Sequence, residues 1–484
     1  MTVGRYWQLH DDAALRQIDE AALQLLTRSG CRIEHEGLLG LLEGAGCRID
    51  ASAKRCLFPE RLVRDAIEGV RGQTDEEVGI PSGWNPQHRL EHSGSYPHLL
   101  EWPSGCRRLA TRQDVMDMAR MAHGLDEFES VGRVLTCSEV DPRIEPLWTT
   151  LALAQTTDKP IGGGEIFYPQ YIEPLVRMGE VLSGTPGDTS LVNSCDFFVS
   201  PLMFDRRQAE CFLEKRRFGI RNVPGTMPIS GMSAPVTVAG AVTVAVAELM
   251  AGWVLGYVVN PDLPAGGIVA SGSLDMSTAS ACFGSPEALL QDVTAVQICR
   301  RLYGIPVWAA LDYVDCKRPG LEAVFQKMYP LVSAPFGTAA RFCGNGLLSA
   351  GQDYSPVQHL LDAEMAKAVE RFWGSFEVSE ETIALDLIEE MVGKDGTNFL
   401  DTDHTLRHFR QEQWCPCWFD RTPFQEGAFE LEAEQKMLQR IDRYYRDAIG
   451  RYEPPPADRS KIEELRLIFL AAERQILGEN STCV

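Results

Sequence analysis

The amino-acid sequence predicts a closed (β/α)8 TIM barrel of the α/β class, with a helical extension in front of it and further helices behind. Three observations carry that fold class. Strand-like and helix-like stretches alternate eight times between residues 88 and 373, the order that builds a parallel barrel. At the centre lies GMSAPVTVAGAVTVAVAELMAGWVLGYVV (231–259), flanked by two β-like stretches, RNVPGTMPIS (221–230) and GGIVASGS (266–273). A strand, an apolar helix and a second strand make a βαβ unit, whose helix packs on a parallel sheet. The competing class, an open doubly wound sheet, lacks its dinucleotide fingerprint, because GGGE at 162–165 has no GxGxxG spacing. The expected division is a helical extension over 1–80, the barrel over 81–375 and C-terminal helices over 376–484 packed on it.

Composition narrows the class further. The 231–259 run has 29 residues, and a membrane span needs only about 20 apolar residues. Glu248 sits deep inside it without a flanking basic cluster, and a carboxylate at mid-membrane costs about 2.5 kcal/mol or more. A buried helix is therefore expected. With 46 Lys and Arg against 68 Asp and Glu, the formal charge is −22. That balance argues against binding to nucleic acid or anionic membranes, both of which need excess basic residues. The N-terminus, MTVGRYWQLHDDAALRQ, carries no secretory pattern. Fourteen irregularly spaced cysteines fit free thiols in a reducing, cytoplasmic compartment better than a disulfide scaffold. Cys415 and Cys417 form a lone Cys-x-Cys, which lacks the second pair of a structural zinc site.

Taken in order, residues 11–29 place Leu15, Ile18, Ala22, Leu25 and Leu26 at helical spacing, and Gly30 stops the helix. Short helices follow at 35–43 and 59–70, with CRID and KRCLF between them as a small β-ribbon. The candidate barrel strands are 88–102, 130–140, 159–167, 190–200, 221–230, 266–273, 304–313 and 338–346, most of them separated by helical segments. Ser355-Pro356 opens a helix to Trp373, and Ser379 caps another that ends at Gly393. Long helices at 425–450 and 458–478, joined by YEPPPAD, pack on the barrel or on a second subunit, so a homo-oligomer is expected.

Several stretches carry a resemblance that runs in order over nearly the whole chain. GMSAPVTVAGAVTVAVAELMA (231–251), NFLDTDHTLRHFRQEQWCPCWFDR (398–421), SPLMF (200–204), GSPEALL (284–290) and SGCRIEHEGLLGLLEGAGCRID resemble the trimethylamine methyltransferase family. The resemblance implies a (β/α)8 barrel that moves a methyl group from a methylated amine to the cobalt of a separate corrinoid protein. Founding members carry pyrrolysine. This chain has only the twenty standard residues, so it resembles the pyrrolysine-free branch, whose members demethylate quaternary amines such as glycine betaine. The family's Asp-x-Lys segment is matched by Asp315-Cys316-Lys317, followed by RPGLEA where Asp-Gln-Ala is expected. That departure leaves the substrate open within the class.

Barrel enzymes place their chemistry at the C-terminal ends of strands. In IPVWAALDY, Trp308, Ala310 and Asp312 share one face, and the aliphatic residues share the other. The aliphatic face meets the outer helices, which turns Trp308 and Asp312 inward. Glu165 and Phe167 share a face at the end of the third strand. Carboxylates and rings suit a quaternary ammonium, since each ring attracts a cation by about 0.5–2 kcal/mol without needing a donor on it. Glu165 and Asp312 are thus the expected catalytic pair. Phe167, Trp308, Tyr313, Lys317, Asn193, His359, Arg341 and Asn345 are the expected substrate residues, with Lys317 or Arg341 meeting a substrate carboxylate. His404 and His408 lie four apart on one helical face, a spacing that can bind metal. They fall outside the barrel strands and read as structural or interfacial.

A quaternary nitrogen has no lone pair, so its amine leaves without protonation and a cobalt(I) nucleophile can attack the methyl carbon directly. The enzyme then acts by positioning the methyl and excluding water. No DxHxxG stretch of a cobalamin-binding domain occurs in the chain, so the corrinoid (cobalamin) is expected on a partner protein. Two other readings stand beside this one: the same fold passing methyl to tetrahydrofolate, and a non-catalytic betaine-binding protein.

Overall fold

The computed structural model describes residues 8–71, 92–192, 194–221, 223–263, 266–338, 345–373, 376–392, 394, 398–423, 432–456 and 458–478. The first helix, Asp12–Arg28, is capped by the Asp11 side chain and buries Leu15, Ala22, Leu23 and Leu26. Gly30 follows with a φ of +66°, and a Cβ there would stand 2.1 Å from the Cys56 carbonyl oxygen. Both the left-handed backbone and the close approach demand glycine. Gly30→Ala should therefore cost about 2 kcal/mol or more, read as a lower melting temperature by circular dichroism. An unchanged melting temperature would mean that this junction is slack.

The small ribbon forms as expected. Arg48–Asp50 pairs antiparallel with Arg55–Leu57, and Arg55–Leu57 with Cys31–Ile33. An unexpected neighbour completes that sheet: Met203–Phe204 pairs parallel with Cys31–Ile33. The N-terminal segment is thereby joined to the middle of the chain.

The long apolar helix spans Val238–Val259 and starts seven residues later than the apolar run suggests. The amides of Met232, Ser233 and Ala234 all turn onto the Ile229 carbonyl, so Pro235 lies before the helix rather than in its first turn. By length and composition this helix could cross a membrane, yet most of its apolar window is buried inside the protein. Trp253 and Val254 share one apolar cluster with Leu15, Leu26, Val63 and Ile67 of the N-terminal helices. Glu248, fully buried, accepts from the Ser200 hydroxyl and the Leu202 amide at 2.8 Å, and from the Thr226 hydroxyl. Those three donors satisfy a carboxyl that would otherwise be costly to bury. The helix is pinned to the strands by its one acid.

Parallel pairing follows the expected strand order. Asp353–Tyr354 pairs with His98–Leu100, Tyr96 with Leu135, and Val131 with Ile161. A second arc runs Asp196–Phe197, Pro224–Thr226, Ile268–Val269, Trp308–Ala309, each parallel to the next. No strand pairing among the described residues joins Ile161 to Asp196, or Trp308–Ala309 to Asp353–Tyr354. The architecture is mixed α/β with parallel arcs, and among the described residues the expected closed barrel is not formed as one hydrogen-bonded ring. Proline at 160, 224, 228 and 306 removes ladder donors, and Gly162, Gly163 and Gly164 weaken the third strand. Most of the eighth expected strand, 338–346, lies outside the described residues. Its parallel place beside His98–Leu100 is taken by Asp353–Tyr354.

The C-terminal helices Ala433–Gly450 and Arg459–Leu477 bury Leu438, Ile441, Leu465 and Ile468 against Met118, Met121, Leu147 and Leu175 of the outer helices. Ser379 caps a helix as expected, but Ala384 takes a φ of +51° and splits it into Glu380–Ile383 and Leu385–Met391. All 12 described cysteines are free.

Candidate functional site

The alternation at 305–312 is realised as burial. Ile305, Val307, Ala309 and Leu311 lie in the apolar cluster of the outer helices, while Trp308, Ala310 and Asp312 keep accessible surface. Asp312 and Tyr313 stand where this segment ends. The Tyr313 ring lies 5.4 Å from that of Phe283 and against Gly351, where a Cβ would stand 2.9 Å from its Cε1. Across the sheet, Tyr96 stacks on Tyr354 with ring centroids 6.3 Å apart.

Electrostatics bring these residues together with Glu165. Burial raises the Tyr313 phenol well above its ordinary range, and the charges of Asp312 and Glu165 raise it further. Burial likewise dominates at Tyr96, followed by Asp312, Tyr313, Asp362 and Glu165. Charges are felt by a buried phenol chiefly at short range, in a low-dielectric interior. Glu165, Asp312, Tyr96 and Tyr313, drawn from three separate parts of the chain, therefore lie within electrostatic reach of one another. Glu165 retains some accessible surface, yet burial raises its carboxyl above the ordinary range, with Arg133 and Lys215 lowering it and Asp196 raising it.

Two buried cations support Glu165. Lys215 pairs with Asp196 at 2.5 Å, and its ammonium also donates to the Ser194 carbonyl at 3.1 Å. Arg133 donates to the Ser95 hydroxyl at 3.0 Å and to the Glu165 carbonyl oxygen. Gly164 makes room for it, since a Cβ there would stand 2.9 Å from Nε. Beside Arg133 opens a cavity of about 150 Å³, lined by Thr136, Glu145, Phe167, Tyr168 and Arg207 among others.

The remaining expected residues divide. Phe167 borders that cavity and is 46% exposed; among the described residues the strand pairing of this segment ends at the Val131–Ile161 bridge, and the Phe167 amide donates to the Tyr171 hydroxyl. Trp308 lies over Gly266, at the opposite end of its segment from Asp312. Lys317 is exposed and donates to the Asp315 carbonyl. Asn345 accepts from the Leu347 amide at 3.3 Å, an Asx turn rather than a site contact. His359 stands behind the cluster: its Nδ1 meets the Tyr354 hydroxyl at 3.0 Å, and its ring packs on Phe128 and His92. Asn193 and Arg341 lie outside the described residues. His404 Nε2 contacts the Glu381 carbonyl at 3.2 Å, and His408 Nε2 its carboxylate at 3.4 Å, so both hold a neighbouring helix. Cys415 and Cys417 are exposed, and the Cys417 amide donates to Glu364 at 2.7 Å.

Sequence reasoning missed Tyr96 and Arg133. A signal for Arg133 existed: it is the one charge inside the apolar stretch VGRVLTC (131–137).

Acidic and aromatic side chains thus gather on an α/β scaffold of parallel strands. The chain belongs to the trimethylamine methyltransferase family, which it matches over residues 3–478, and it is a methyltransferase. It is 26% identical to the trimethylamine methyltransferase of Desulfitobacterium hafniense over 83% of this chain and 82% of that one. Against a glycine betaine methyltransferase from another strain of that species the identity is 24%, over 96% and 97% of the two chains. A trimethylamine methyltransferase of Methanosarcina mazei is 26% identical over 57% of this chain and 54% of its own. Among solved structures, the monomethylamine methyltransferase of Methanosarcina barkeri aligns at 14% identity and a TM-score of 0.42, over 92% of this chain and 96% of that one.

Proposed function

We propose that this protein demethylates a quaternary amine, glycine betaine or a related betaine, and passes the methyl to the cobalt(I) of a corrinoid on a partner protein. The observation that carries the reading is the set of rings at the strand ends, Tyr313 with Phe283 at 5.4 Å and Tyr96 with Tyr354 at 6.3 Å, within reach of the charges of Asp312 and Glu165. Ionised carboxylates and ring faces hold a cation that offers no hydrogen-bond donor. The same reading takes the two parallel arcs as parts of one (β/α)8 barrel, in a cytoplasmic, homo-oligomeric enzyme; the strand order supports the barrel.

In this chemistry the quaternary nitrogen keeps the electron pair of the broken C–N bond and leaves as a neutral tertiary amine. Glu165, Asp312 and the rings therefore bind the substrate more strongly than the departing amine. Their task is to fix the methyl in line and to keep water out. The corrinoid, when docked, supplies the nucleophile. A large flat acceptor fits the rim: Val199, Met232, Val236, Met276 and Leu321 are all exposed, on segments that follow successive strands of the second arc. Apolar side chains at such a rim favour a docked macrocycle over open water.

The test mixes purified protein, glycine betaine and cob(I)alamin and follows the loss of the cob(I)alamin absorbance. Betaine-dependent loss is expected. Turnover with tetrahydrofolate alone would move the acceptor to the folate. Binding without turnover under any acceptor would make the chain a betaine-binding protein.

A further inference from the structure

We propose that the cavity beside Arg133 is a carboxylate subsite, which selects a zwitterionic substrate by its anionic end; this rests on the quaternary-amine reading above. Arg133 is 6% exposed, and a guanidinium stays charged at every relevant pH. Its Nε and Nη2 are engaged by Ser95 and by the Glu165 carbonyl. Its Nη1 stands 4.0 Å from Glu145 Oε2, beyond hydrogen-bond reach. Glu145 spends its other oxygen on the Cys137 amide at 3.0 Å and the Thr149 hydroxyl at 2.8 Å. A buried guanidinium thus presents an edge to the cavity that it borders.

The local charge suits an anion. Arg207 is a second cation on the same cavity, lying 5.7 Å over the Tyr168 ring. Arg133 and Arg207 border the cavity with Glu145 as the one carboxylate in its lining, inside a chain whose formal charge is −22. Position matters as well. The guanidinium that borders this cavity also holds the main chain of Glu165, so the anion subsite adjoins the cation cluster, as a short zwitterion requires. Gly164 is the enabling residue, because a Cβ would stand within 3.0 Å of Cζ. Lys317, the cation expected from the sequence, is turned to its own Asp315 carbonyl instead.

The experiment measures binding by calorimetry, independently of methyl transfer. Three probes are compared: glycine betaine, tetramethylammonium without the carboxylate, and tert-butylacetate, which keeps shape and carboxylate without the cation. In Arg133→Gln, the affinity ratio of glycine betaine to tetramethylammonium should fall about tenfold or more, and tert-butylacetate binding should weaken by a similar factor. Arg207→Gln, at an exposed position, should lower the same ratio about threefold, and it decides the matter if the Arg133 variant does not fold. Unchanged ratios, or tert-butylacetate binding that ignores Arg133, would overturn the subsite. If wild-type protein binds tert-butylacetate through Arg133 but neither ammonium compound, the subsite stands and the quaternary-amine reading falls.

Discussion

In Glu165→Gln, KM for a quaternary amine should rise about a hundredfold while kcat stays within about threefold. A carboxylate about 5 Å from a cation contributes roughly 3 kcal/mol at an effective dielectric near 20, close to two factors of ten. The loss falls on KM because the C–N bond is only partly broken in the transition state, so the carboxylate holds the cation about equally there and in the bound substrate. Asp312→Asn should act in the same direction with little change in melting temperature. Normal turnover by the Asn variant would remove Asp312 from the site. The pH profile offers an independent check. Burial raises the Glu165 carboxyl, so cation binding should fade, as pH drops, above the ordinary glutamate value of about 4.3. That acid limb should vanish in the Gln variant. For stability the sign is opposite. A carboxyl with a raised folded pKa stabilises below its unfolded pKa and loses that contribution as pH rises through the folded one. Glu165→Gln should therefore be at least as stable as wild type at pH 7, and a clear loss would point to a structural role.

Lys327→Met is the largest stability change expected. Lys327 and Asp362 are fully buried and paired at 2.6 Å. The Gln358 amide at 2.7 Å and the Gly346 amide at 2.9 Å complete the carboxylate's partners. Removing one member of a buried pair leaves an uncompensated charge, at about 3–5 kcal/mol. Lys327→Met combined with Asp362→Leu should recover most of the loss, because the apolar pair carries no stranded charge. Chemical denaturation reads both variants. A single variant as stable as wild type would show that the pair contributes nothing net. The charge of Asp362 also reaches Tyr96, so the single variant should disturb substrate binding too.

Legibility followed the range of the interactions. Local signals served well: the spacing of Leu15 to Leu26, the ribbon at CRID and KRCLF, and the buried alternation of Ile305 to Leu311 were all readable from neighbouring residues. Helix 379–393 was misread because nothing in the sequence marks Ala384 for a left-handed backbone. The site was half legible. Glu165 and Asp312 stood out as acids ending apolar strands, but their partners come from strand order. Tyr96 reads as an ordinary core tyrosine until the first strand is placed near the third and seventh. Phe167 shares Glu165's face only if the strand continues, and it does not. Trp308 has the right face and the wrong end.

The parallel pairing of Cys31–Ile33 with Met203–Phe204 sets a timetable for synthesis. Chains emerge at about 5–20 residues per second, so the early strand waits roughly ten to thirty seconds for a partner made some 170 residues later. Throughout that interval Leu15, Leu26, Val63 and Ile67 lack the long helix that covers them. The newborn N-terminus thus leaves apolar surface uncovered until residue 259 has been made.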